Sequence, residues 1–187
     1  VNFKPTVFAE GELVYTDGGI LAEYAWLLVV LPFVAALVIT FTGKYLPLKG
    51  AEVALTTIGV IFLYSAALMY LHITGGVVNE FFINVGSIGV FDIEFGWVVD
   101  GLSIMMYFVV GTVALLVFIY ATNYMEGEIR YTFFFTSLTL FAGSMLVLVS
   151  SPTLIQILIG WELVGVCSYL LIGCLLYTSD AADDELG

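Results

Sequence analysis

Apolar residues in this chain come in long charge-free runs, separated by short segments where the acidic and basic residues collect. Five runs approach the ~20 residues an α-helix needs to cross the apolar core of a bilayer. The first spans Tyr24 to Thr42 and contains Pro32, which a membrane helix tolerates because neighbouring groups re-satisfy the freed carbonyl. The second runs from Val53 to about Ile73, and the third from Gly101 to about Thr122. After Arg130 one long run is divided at Ser150-Ser151-Pro152 into spans at 132–149 and 153–176. The period changes between the second and third runs. Val90 to Trp97 sets Asp92 and Glu94 between Phe91, Ile93 and Phe95, the alternation of a half-buried strand. Glu80 to Val85 offers a partner strand and Gly86-Ser87-Ile88-Gly89 a turn, which together predict a β-hairpin. The fold class expected is an all-α membrane protein of about five transmembrane helices, with a short extracytoplasmic β-hairpin between the second and third. An irregular loop with Phe95 and Trp97 at the membrane interface is the alternative for that segment.

Composition agrees with this pattern. Hydrophobic residues make up 61% and charged residues 11%, with a mean hydropathy of +1.11. Soluble domains are nearer ~45–50% apolar and ~25% charged. The formal net charge is −12, and Lys4, Lys44, Lys49 and Arg130 are the only basic residues besides His72. Nucleic acid is therefore excluded as a partner, since phosphate binding needs clustered cations. Lys44 and Lys49 follow the first run and Arg130 the third, so parity puts them on one side, which the positive-inside rule makes the cytoplasm. Residues 74–100 and the N-terminus then face outside, with Lys4 as the exception. Residues 1–23 carry Glu10, Glu12, Asp17 and Glu23 where a signal peptide would carry a basic start and an apolar run. They read as an extracytoplasmic lead-in, amphipathic or extended. The expected organisation is lead-in 1–23, helices over 24–73, outer loop 74–100, helices over 101–176 and a tail at 177–187.

Glu162 carries the chemistry. It is the only formally charged side chain between Arg130 and Asp180, and it lies inside an apolar span. At the helical rise it falls ~15 Å beyond Pro152, near the bilayer midplane. A carboxylate there costs at least ~2.5–3.5 kcal/mol, so such groups face protein or water and serve ion or proton transfer. A carboxyl held neutral by a neighbouring helix is the structural reading. Burial disfavours the charged form and a nearby cation favours it, but no Lys lies in the apolar part of this chain. Gly160, Gly165, Ser168 and Gly173 share the helix, and small residues permit close approach, so this helix is expected to be buried within a bundle.

Asp100 precedes Gly101-Leu102-Ser103 and reads first as a helix cap, with a site role as the alternative. His72 at the outer end of the second span reads as structural, and Trp26, Trp97 and Trp161 as belt or packing residues. Glu126, Glu128 and Arg130 form a solvated turn. Cys167 and Cys174 share one helical face at a separation of ~10 Å, too far for a disulfide. They make no metal-ligand pattern and read as small packing residues. No P-loop, Rossmann glycine pattern or Ser-His-Asp set is present, so no catalytic centre, metal or cofactor is expected in this chain.

Three motifs carry a family resemblance: Asp100 to Met106, then Ile119-Tyr120 with Tyr124-Met125, then Gly160 to Gly173. Together they resemble the start of the chain 5 (subunit L) family of respiratory complex I, the NADH:quinone oxidoreductase, within the Mrp-antiporter-like group. The resemblance covers about Tyr24 to Leu176. It implies a non-redox, proton-translocating subunit in a prokaryotic cytoplasmic membrane, with the bilayer and other membrane subunits of the complex as partners. Glu162 matches the family's essential glutamate, which pairs with a lysine on a later helix. The outer hairpin matches one that links neighbouring antiporter-like subunits. Two features depart from the family. Phe118 stands where members often carry His, which removes the basis for a relay role near the third helix. The family has well over a dozen helices, and 177–187 does not resemble its continuation, so the chain is expected to be a truncated or mis-joined fragment with a foreign tail. An Mrp-type cation/proton antiporter subunit and a purely structural membrane subunit remain the alternatives.

Overall fold

A computed structural model describes residues 19–75, 79–88, 91–128 and 130–174. Most of the expected lead-in and the whole of the expected tail lie outside these residues. The elements in chain order are α1 (Gly19–Glu23), α2 (Trp26–Thr42), α3 (Ala51–Gly75), β1 (Asn79–Ile88), β2 (Phe91–Val99), α4 (Gly101–Tyr124), α5 (Tyr131–Ser150) and α6 (Leu154–Cys174). A 3-10 turn at Gly43–Tyr45 extends α2. Among the described residues five helices, α2 to α6, are long and apolar enough to cross a membrane. Pro32 sits inside α2 without ending it. The first span starts at Trp26 rather than Tyr24, because Tyr24 and Ala25 form a turn after α1. Tyr64 of α3 donates its hydroxyl to the Leu21 carbonyl at 2.6 Å and so fastens α1 to the bundle.

The two strands pair antiparallel, from Asn79 opposite Val99 to Ile88 opposite Phe91. The expected turn beginning at Gly86 is corrected. Gly86, Ser87 and Ile88 remain paired, opposite Ile93, Asp92 and Phe91, because a register shift between Asn84 and Gly86 takes up an extra residue. Gly89 lies outside the described residues.

α5 is the hub, with α2, α4 and α6 packed around it. Its buried positions explain this: Ser137, Thr139, Ala142, Gly143 and Ser144 are small enough to admit neighbouring backbones. A methyl added at Gly143 would lie 3.1 Å from Pro32 of α2. The buried hydroxyls satisfy themselves within the helix, Thr139 donating to the Phe135 carbonyl at 2.7 Å and Ser144 to that of Leu140 at 2.8 Å. Phe135, Phe118, Tyr107, Ile58 and Leu68 fill the core between these helices. The sheet caps one end of the bundle, with Trp97 of β2 against Trp26 of α2 at 6.5 Å between ring centroids. At the opposite end Thr132 donates to the Lys49 carbonyl at 3.0 Å.

Candidate functional site

The site is built on α6. Pro152 lacks an N–H and separates α6 from α5, and the Thr153 hydroxyl then accepts from the Gln156 N–H at 3.4 Å in the first turn. α6 is tied down at four points along its length. Next to the sheet, the Gln156 side chain donates to the Gly96 carbonyl at 2.8 Å and accepts from the Gly96 N–H at 2.9 Å. In the middle, Gly160 rests on α5 so closely that an added methyl would meet the Leu148 Cα at 2.9 Å. Further along, the buried Cys167 Sγ lies 3.7 Å from the Ser144 Oγ. At the far end, the Arg130 guanidinium donates to the Gly173 carbonyl at 3.1 Å.

Glu162 follows Gly160 by two residues, which turns it ~200° around the helix, away from α5. It is exposed, as are Trp161, Gly165, Tyr169 and Ile172 around it. Among the described residues nothing encloses Glu162 or this side of α6. Among the described residues the Gly160 face is the buried one, while Gly165 and Gly173 have none of those residues within 4 Å of an added methyl. The reason is topological: α6 packs chiefly on α5, and no other described helix covers its far side. Lys44, Lys49 and Arg130 all gather at the end of the bundle away from the sheet. Gly173, where Arg130 binds, is eleven residues or ~16 Å beyond Glu162, so this guanidinium is not its counter-ion.

The other sequence candidates occupy separate places. The Asp100 carboxylate accepts from the Ser103 N–H at 2.7 Å and caps α4. His72 of α3 lies against Gly101, where an added methyl would come within 2.8 Å of its Nε2. Phe118 is core, edge-on to Phe135 at 6.2 Å. Cys167 and Cys174 are free, buried thiols on the packed face of α6. Among the described residues no three His, Cys, Asp or Glu side chains converge as a metal would require. Gln156 was not singled out by sequence reasoning. Its signal was available: a lone amide inside an apolar span marks a contact with another element, because lipid offers it no hydrogen bond. Beside it lies a cavity of about 190 Å³ lined by Trp26, Val29, Phe95, Trp97 and Ser150.

Fold and site together define a membrane-embedded helical bundle that carries one carboxylate on the open face of an edge helix. Residues 83–135 match the family described as the N-terminus of chain 5 of NADH-ubiquinone oxidoreductase (complex I). The chain is 42% identical over 171 residues to the NAD(P)H-quinone oxidoreductase chain 5 of a Picosynechococcus species, which covers 87% of this chain and 26% of that protein. It is 42% identical to the chain 5 protein of a Synechocystis species, over 88% of this chain and 25% of the relative. The chloroplastic subunit 5 of Chlorokybus atmophyticus is 36% identical, over 87% and 26% respectively. The chain is thus similar to NAD(P)H-quinone oxidoreductase chain 5 proteins over most of its own length, and it spans about a quarter of the length of the curated relatives it matches.

Proposed function

We propose that this chain forms the first helices of a proton-translocating, antiporter-like subunit of an NAD(P)H–quinone oxidoreductase, with Glu162 as a proton-transfer group. One observation carries the reading: Glu162 sits mid-helix on the open face of α6, while the opposite face is pinned to α5. A carboxylate left facing lipid at that depth would cost at least ~2.5–3.5 kcal/mol, so a protein or water-lined surface has to cover it. A cation on that covering surface would favour the charged carboxylate, and its withdrawal the neutral one, which is how charge movement elsewhere would load and unload a proton. The redox chemistry belongs to other subunits. The end holding Lys44, Lys49 and Arg130 faces the cytoplasm, and β1 and β2 form a hairpin on the outer surface that meets a neighbouring membrane subunit. The relatives are NAD(P)H-quinone oxidoreductase chains, which favours this reading over an Mrp-type antiporter.

The test is Glu162→Gln in the complete subunit, assembled in its complex. Loss of proton pumping with assembly preserved is expected. Normal pumping would make the carboxylate structural and overturn the reading.

A further inference from the structure

Gly96 presents both its N–H and its carbonyl to Gln156. In an antiparallel ladder the two groups of one residue point to the same side of the strand. Gly96 is paired with Phe82 of β1, so these bonds lie on the opposite, unpaired edge of β2. The Gln156 amide thus takes the place of one residue of a third strand, a stereospecific contact in which donor and acceptor are matched. Both partners are buried. Among the described residues, none of the side chains lining the adjoining cavity carries a charge that could substitute for the amide.

The contact has a mechanical consequence. Gly160 rests backbone to backbone on Leu148, with Gln156 ~6 Å to one side of it along the axis and Glu162 ~3 Å to the other. The Gly96–Gln156 contact and Glu162 therefore lie on either side of the Gly160 contact, like the two arms of a lever. We infer that Gln156 is a positioning residue that couples β2 to the helix bearing Glu162, a role that rests on the proton-transfer reading of Glu162.

The experiment uses the complete subunit in its complex, with spin labels carried by unnatural amino acids at the exposed positions Glu80 and Leu154. The distance between the labels reports whether the sheet stays on α6, and protons translocated per electron report coupling. Gln156→Leu is expected to broaden the distance distribution and to lower the proton-to-electron ratio while electron transfer continues. An unchanged distance distribution, or a loosened sheet with an unchanged ratio, overturns the inference. Should Gln156→Leu fail to assemble, Gln156→Glu decides. A neutral carboxyl can donate to the Gly96 carbonyl and accept from its N–H, whereas the ionised form has no proton to donate. Coupling in that variant is therefore expected at low pH and lost as pH rises, and a wild-type pH profile overturns the inference. Normal pumping by Glu162→Gln, with Gln156 intact, would instead remove the reading on which the coupling depends.

Discussion

Gly160→Ala tests the packing that aims Glu162 outward. The added methyl would stand 2.9 Å from the Leu148 Cα and 3.0 Å from its N. Carbon atoms in contact sit about 3.5–4.0 Å apart, so the shortfall is about 0.6–1.1 Å. Both obstructing atoms are backbone and cannot rotate aside, so α6 has to withdraw from α5. Overpacking of this kind costs about 1–3 kcal/mol. Alanine also favours a helix over glycine by up to about 1 kcal/mol, which works in the opposite direction. Gly165→Ala isolates that gain, because nothing lies within 4 Å of its added methyl. Cys167 serves as the reporter, being buried beside Ser144 in the same seam. In a Cys174→Ala background, the alkylation rate of Cys167 by a membrane-permeant maleimide follows the local opening of α6 from α5. A loss of 1–3 kcal/mol raises the open population, and with it the rate, by about 5- to 150-fold relative to Gly165→Ala. Equal rates for the two variants would refute the claim that backbone contact at Gly160 holds α6.

Asp100→Ala removes the cap on Ser103 and is expected to destabilise α4 by about 0.5–2 kcal/mol, whereas Asp100→Asn keeps an acceptor and stays near wild type; unfolding midpoints check both. Arg130→Gln releases the last turn of α6. Arg130 is exposed, so the loss should stay under about 1 kcal/mol and be seen as faster alkylation of Cys174 with Cys167 unaffected.

Much of this architecture is legible in the amino-acid sequence, for a definite reason. A bilayer demands ~20 apolar residues per helix and internal satisfaction of every backbone group, so charge-free runs mark the spans directly. Asp100 was legible because capping is local chemistry between residues three apart. The same solvent hides the rest. Lipid is as apolar as a protein core, so a spanning helix can be apolar on all sides, and its pattern does not say which side is packed. The small residues of α6 suggested burial within a bundle; among the described residues Gly160 meets another backbone, while Gly165 and Gly173 stand clear. That Glu162 is turned away from α5, and that Gln156 holds the edge of β2 from sixty residues further along the chain, depends on how α6 is docked. Membrane insertion is a property of each segment by itself, whereas the choice of packed face belongs to pairs of helices, and only the tertiary structure decides it.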